Sequence, residues 1–386
     1  MNFTLRYHKT SVTSLCILRL VQEKVPRLIS GDTEGKVVIW NLITRRPVTR
    51  YDIGKRVNIM SIEQIDDRLI GVLCKDYMLR ILRVGQEEEM QEVWSIPVNT
   101  LNFANFQMGK LQDNGGNEYM LVCCNTQESE NFDVYRVRLG EGEGGNRLQR
   151  VCHNVNVYEK LQENGYALQL NDLNKSGIIM KFVLDNNKGV VYCGTESGII
   201  AGFGLPKAAG QDSGTVVYVN QGFSPEPVLD MCLDEGEDCL YGVSTGNAVK
   251  KFDVMEGTTR SIEVNRGGRL GQLSVLQEYI LVGSWKGESI VISKKSGKVN
   301  ASAKQRSNLV VSVSSNGQDK SRKFERNTKI SSIVGLDRFE YEHGEHHRIT
   351  ETMRIDKFAS KDWMIIGYDD GSIVLRCVNS PSIKRV

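Results

Sequence analysis

Leu28-Ile-Ser-Gly-Asp-Thr-Glu-Gly-Lys-Val-Val-Ile-Trp-Asn-Leu42 is an apolar run that ends at Gly31, a turn of small and charged residues, and a second β-rich run through Val37, Ile39 and Trp40. That pattern predicts a β-hairpin. Tyr7-His8-Lys9 lies upstream, followed by a further strand-like run, Val12-Thr-Ser-Leu-Cys-Ile-Leu18. The local order is therefore His, strand, strand, turn, strand, Trp.

This order resembles one blade of a WD-type propeller, and weaker copies of the hairpin recur down the chain. They centre on Cys74, Cys124, Gly194, Ser244, Gly283 and Gly367, which with Gly31 makes seven, at spacings of about 43, 50, 70, 50, 39 and 84 residues. The shortest spacings match the roughly 40–45 residues of a WD repeat, and the longer ones imply insertions. An all-β, seven-bladed propeller spanning 1–386 is expected, with insertions near 140–176, 204–227 and 314–360. Phe3-Thr-Leu5 is the expected closing strand, paired beside Ile373-Val-Leu375, because a ring left open would expose a sheet edge. For blade seven the innermost strand is Leu309–Val313, Ile330–Leu336 or Ile349–Ile355, all three of which read as strand-capable. Ser314 to Arg326 reads as a mobile loop from its charge and few apolar anchors.

The polar residues of the first repeat have a mechanical role. Resemblance to WD repeats implies a buried network linking His8 to a turn acid, a strand hydroxyl and the Trp40 indole. Counting back from Trp40, the acid is Glu34 and the hydroxyl Ser30. Ile292 and Arg376 stand where later repeats would carry Trp, so those blades are expected to rely on apolar packing.

Composition narrows the function classes. With 40% apolar and 25% charged residues, 386 residues supply ample core. No run approaches 18 uninterrupted apolar residues and Met1 leads directly into a polar strand, so neither a membrane span nor a secretory signal is expected. Nine cysteines, most of them within strands, read as buried thiols in a reducing compartment. There is no Cys-x-x-Cys pair, and His343-Gly-Glu-His-His347 reads as a solvated loop in preference to zinc ligands. No nucleophile elbow or phosphate loop occurs, and outside 343–347 the histidines, His8 and His153, are far apart in sequence. Neither catalytic residues nor a cofactor or metal is expected. From Lys294 to Lys329 ten basic residues face two acidic ones, a run that would suit nucleic acid or a nuclear address but reads more simply as a solvated loop.

Leu5-Arg-Tyr-His-Lys-Thr-Ser-Val-Thr-Ser-Leu15 with Leu28 to Pro47, Gly283-Ser-Trp-Lys-Gly287, and Trp363-Met-Ile-Ile-Gly-Tyr-Asp-Asp-Gly371 together resemble the ASTRA-associated WD-repeat proteins of fungi, related to G-protein-beta-like propellers. The resemblance covers the two ends of the chain better than its middle. It implies a non-enzymatic scaffold subunit of the ASTRA complex, linked to chromatin remodelling and to co-chaperone-assisted maturation of phosphatidylinositol-3-kinase-related kinases. Partners would be subunits of those assemblies, and the location nuclear, with the cytoplasm left open. The alternative is a histone- or nucleic-acid-binding propeller using 294–329. Aromatic residues at turns, Tyr7, Tyr77, Trp285 and Tyr368, are the candidate partner anchors, since buried aromatics dominate interface energetics. For Trp285 and Tyr368 the competing reading is that each covers its own hairpin turn.

Overall fold

The computed structural model describes residues 2–385 except 55, 87–88, 112–115, 141–144, 169–174, 207–213, 265–267, 316–317, 342–348 and 379–383; for 306–327, 349, 351 and 384–385 it describes the backbone alone. Seven antiparallel sheets form the blades. The first six take their strands in chain order, innermost first. They are Val12–Leu18, Arg27–Asp32, Lys36–Asn41 and Arg46–Asp52; Ile59–Asp66, Leu69–Cys74, Met78–Val84 and Met90–Pro97; and Gln107–Lys110, Glu118–Cys124, Asn131–Arg138 and Arg147–Asn156. Blades four to six are Ile179–Asp185, Val190–Thr195, Ile200–Gly204 and Thr215–Asn220; Asp230–Asp234, Cys239–Val243, Ala248–Asp253 and Thr259–Glu263; and Leu270–Val275, Tyr279–Ser284, Glu288–Ser293 and Val299–Lys304. Lys384–Arg385 adds a short fifth strand to blade six.

Blade seven is built from both ends of the chain. Ile330–Leu336 is innermost, then Trp363–Tyr368 and Ser372–Cys377, and Asn2–Arg6 supplies the outer strand with Phe3 opposite Leu375 and Leu5 opposite Ile373. The expected closure pair forms, and the innermost strand is the second of the three candidates. Of the other two, Leu309–Val313 falls within a separate two-stranded ribbon, Arg306–Ser315 paired with Gln318–Asn327. Ile349–Ala359 is an α-helix, not a strand. Its buried Ile355, Phe358 and Ala359 recur at helical spacing, and the Phe358 ring stacks on Trp363 at 4.7 Å.

Each of the three expected insertions contains regular structure among the described residues. The first contains the outer strand of blade three and the helix Val157–Glu163, started by the Asn156 side chain accepting from Glu159 N (3.0 Å), with Val157 and Leu161 buried one turn apart. The second contains the outer strand of blade four, Thr215–Asn220. Ser314–Arg326, read as a loop, is mostly the second strand of the ribbon.

Apolar residues alternate along each central strand and enter two different cores. Leu28 and Val38 join the cluster shared with blade seven, whereas Ile29 and Ile39 join the one shared with blade two. Seven such clusters occur, one between each pair of neighbouring blades around the ring. This close approach needs glycine at particular points. A Cβ on Gly31 would lie 2.8 Å from Ile59 and Ile62 of blade two, and one on Gly367 would lie 2.8 Å from Val12 of blade one. All nine thiols are free. Among the described residues no helix is long and apolar enough to cross a membrane.

Deleting residues 1–6 should expose the Ser372–Cys377 edge and lower the melting temperature by several degrees, on the order of 1–3 kcal/mol at the transition. A calorimetric scan of the truncated protein that superposes on the full-length trace would show that this strand does not secure the ring.

Candidate functional site

The hairpin of blade one holds a buried polar cluster. His8 Nε2 lies 2.7 Å from Ser30 Oγ, and the Trp40 indole donates to the same hydroxyl at 2.8 Å. The acid is Asp32, not Glu34. Asp32 Oδ2 is 2.8 Å from His8 Nδ1, and its Oδ1 accepts from the backbone N–H of Glu34 and of Lys36, each at 2.9 Å. Burial works to raise the Asp32 pKa, but the His8 bond and the two N–H groups outweigh it and hold the carboxyl below its ordinary value. Glu34, one methylene longer and two residues further along, reaches outward to Lys36. Polar networks also persist beyond the first blade. In blade three the buried Asp133 accepts from Asn125, from Tyr135 Oη at 3.1 Å and from Asn154 N at 2.8 Å.

The four aromatic candidates separate by environment. Tyr368 is buried in the core between blades six and seven and cannot be a surface anchor. Tyr7 is half-buried beside Trp40, with the Arg50 guanidinium 4.7 Å over its ring, so it covers its own blade. Tyr77 is 51% exposed at a turn with φ +66°, its carbonyl accepting from Val98 N and its N–H donating to Thr100. Trp285 is 45% exposed, close over Gly271 with the Arg269 guanidinium 5.8 Å from its ring. These bonds place the turns between second and third strands on the same face as the connections between blades. On that face Leu101 and Phe103 are 66% and 70% exposed, two further candidate anchors that the sequence reading missed. They follow the outer strand of blade two, a position where an apolar residue reads equally well as core.

The inner strands carry a second polar arrangement. In blades one, two, four, six and seven their register shifts near the first residue, between Val12 and Ser14, Ile59 and Ser61, Ile179 and Lys181, Leu270 and Gln272, and Ile330 and Ser332. Each shift is a bulge that re-aims the residue after it. Ser14, Ser61, Lys181, Gln272 and Ser332, joined by Asn105 and Asp230, line one cavity of about 450 Å³ enclosed by all seven blades, the central channel.

Side chains from these strands bond each blade to the next. Ser14 Oγ accepts from Ile62 N (2.8 Å); Glu63 accepts from Asn105 (3.0 Å) and Gln107 (2.6 Å); Asn105 and Gln107 accept from Phe182 N (2.8 Å) and Leu184 N (3.0 Å). Lys181 pairs with Asp230 at 2.9 Å, Asp230 accepts from Leu273 N (2.8 Å), Ser274 accepts from Gly335 N (3.0 Å), and Ser331 donates to Val12 O across the seam. Burial pushes the Glu63 pKa up to about 7 against the bond from Asn105, the charge of Lys181 and the bond from Gln107. Burial opposes the Lys181 ammonium, yet Asp230 more than offsets this and holds its pKa above the ordinary lysine value.

The remaining polar features are less accessible. Lys294, at the start of the basic run, is buried in an ion pair with Asp234. The side chains of 306–327 and the whole of His343–His347 lie outside the described residues. Asp234, Glu237 and Cys239 come within metal-ligand distance of one another, but Lys294 and Lys251 already neutralise the two carboxylates and burial raises the Cys239 thiol to about 11.

Comparison with known proteins follows the same outline. The family model for ASTRA-associated protein 1 matches residues 1–376. The chain belongs to this family. It is 33% identical to ASTRA-associated protein 1 of Zygosaccharomyces rouxii, covering 96% of this chain and 97% of the relative, and 31% identical to that of Vanderwaltozyma polyspora, covering 97% of each. The Saccharomyces cerevisiae protein (strain S288c) is 29% identical over 97% of this chain and 96% of its own. Among solved structures, the β-propeller domain of Myceliophteria thermophila Cps50 (Swd1) superposes with a TM-score of 0.62, covering 98% of this chain and all of the other at 12% identity, which establishes the shared propeller fold.

Asp32→Ala should destabilise by about 1–3 kcal/mol in urea unfolding, since it strands His8 and two turn N–H groups, whereas Glu34→Ala should stay within about 0.5 kcal/mol. Equal losses for the two would overturn the assignment of the acid.

Glu63 makes a pH-dependent contribution of the opposite sign to a carboxylate such as Asp32, whose pKa is held below its ordinary value. Its folded pKa of about 7 lies above its ordinary 4.5, so the folded state holds the extra proton and stability falls as pH rises between those values, then levels off. Lys181, Asp230 and Cys16 are the other titratable groups near it. Glu63→Gln should therefore gain more in urea midpoint over wild type at pH 8 than at pH 5. A gain independent of pH would show that Glu63 titrates as a solvated carboxylate.

Proposed function

We propose that this chain is a non-catalytic scaffold subunit of the ASTRA complex, linked through it to chromatin remodelling and to co-chaperone-assisted maturation of phosphatidylinositol-3-kinase-related kinases, and that it acts in the nucleus, with the cytoplasm left open. The observation that carries this reading is family similarity over nearly the whole chain, including both ends that build the seam of blade seven. A ring whose blades share seven cores is a rigid platform, and rigid platforms hold partners through exposed turns without a large ordering cost. On the turn face Tyr77, Leu101, Phe103 and Trp285 present apolar area that no other described part of the chain covers fully. Large, stiff aromatic side chains of this kind dominate interface energetics.

Affinity purification of the tagged chain from its own cells tests this directly. ASTRA and co-chaperone subunits should be recovered with wild type, and recovery should drop several-fold with the double variant Tyr77→Ala, Trp285→Ala at an unchanged melting temperature. Full recovery with a stably folded double variant removes the turn face as the docking surface. Failure of wild type to recover any of these subunits removes the assembly reading itself.

A further inference from the structure

The central channel holds an unbalanced charge. Three ionisable side chains project into it or border it: Glu63, Lys181 and Asp230. Lys181 and Asp230 neutralise each other at 2.9 Å. Glu63 accepts from two amides, Asn105 and Gln107, and feels the charge of Lys181, but among the described residues it forms no ion pair of its own, and burial pushes its pKa up. Two residues earlier, on the same side of the inner strand, Ser61 lines the cavity, and its hydroxyl oxygen has no hydrogen-bond partner among the described residues. The channel thus offers a carboxylate held by amides and, beside it, a hydroxyl able to accept a hydrogen bond, with one more carboxylate than ammonium among its lining side chains.

The mouth adds a second requirement. Phe103 lines the same cavity while remaining largely exposed, and Leu101 stands two residues away on the turn face. An entering group passes the Phe103 ring before it reaches Ser61 and then Glu63. A hydrated metal ion makes no use of that entrance, and an anion would meet the uncompensated carboxylate. A side chain with an apolar stem and a cationic head fits both levels, and a volume of about 450 Å³ accommodates it together with some water. We propose that the central channel is a binding site for a lysine or arginine side chain presented by a partner protein, its stem against Phe103 and its head paired with Glu63 and hydrogen-bonded to Ser61. The proposal does not depend on which assembly the chain joins, because it rests on the channel alone.

The test uses the full chain and three blocked pentapeptides, N-acetyl-Ala-Ala-X-Ala-Ala-amide with X as arginine, lysine or norleucine, titrated by calorimetry at pH 8. The arginine or the lysine peptide should bind at millimolar concentration or below, and the norleucine peptide should bind at least about tenfold more weakly, since it leaves the buried carboxylate unpaired. Glu63→Gln should lose at least about tenfold in affinity for the cationic peptide while melting no lower than wild type. If that variant fails to fold, Ser61→Ala and Phe103→Ala should each weaken the cationic peptide several-fold. Equal binding of the norleucine and cationic peptides, wild-type affinity in these variants, or absence of heat with both cationic peptides would each overturn the proposal. Assembly recovery in cells is a separate readout, so failure of either one leaves the other standing.

Discussion

A ring of antiparallel sheets has one seam, and everything else depends on its being closed. Six blades are made of consecutive strands, which local turns can organise before the rest of the chain is present. The seventh needs Asn2–Arg6 to find Ser372–Cys377 across the whole sequence. Once that pair forms, no blade is left with an open neighbour, and each of the seven cores has both walls. The Ser331 bond to Val12 O then completes the polar belt around the channel. Apolar packing supplies most of the driving force in such a structure, but it is non-directional. The belt adds direction, because its side chains reach particular backbone groups of the next blade or, at Glu63 and Lys181, particular side chains.

The sequence made the fold legible because the repeat announces itself through period-2 apolar runs separated by glycine-containing turns. It also gave away the seam, since a free edge has to be covered. Where the reading failed, the reasons are local. Counting back from Trp40 selects Glu34 by spacing alone, whereas the turn needs a short carboxylate that can also take the N–H groups two and four residues on. Asp32 has that geometry, and an aspartate at the head of a tight turn is the signal that would have found it. Ile349–Ala359 looks strand-like if only its first residues are weighed, but Ile355 and Phe358-Ala359 carry the helical spacing. Tyr368 stands beside a turn, yet it is the last residue of a central strand whose both faces are buried, so proximity to the turn does not make it a surface residue.

The candidate site was less legible than the fold. The channel residues come from inner strands whose individual sequences look unremarkable: a serine here, a lysine there, a glutamine in the next blade. Only the bulges turn them to one side, and only ring closure brings them together. Leu101 and Phe103 were missed for a related reason, since a sequence pattern cannot say whether a loop hydrophobe is tucked under its blade or left in solvent. The carboxylate of Glu63, hydrogen-bonded to amides alone, stands out against the neighbouring Lys181–Asp230 pair. Evolution of a stable core alone would be better served by an amide at that position, because a buried carboxylate held only by neutral groups weakens the fold as it ionises.

The seam also determines how the molecule answers a mechanical load. Asn2 lies opposite Arg376 and Arg6 opposite Ser372, so the chain before Asn2 and the chain after Cys377 leave the pair at the same end. Tension applied through those two points would open the pair like a zipper, breaking its hydrogen bonds one after another, where a shearing geometry would load them all together. The strand that completes the ring is then also the first to yield under traction. A propeller pulled at Asn2 and Cys377 would come apart at blade seven while the blades farthest from the seam still held their cores.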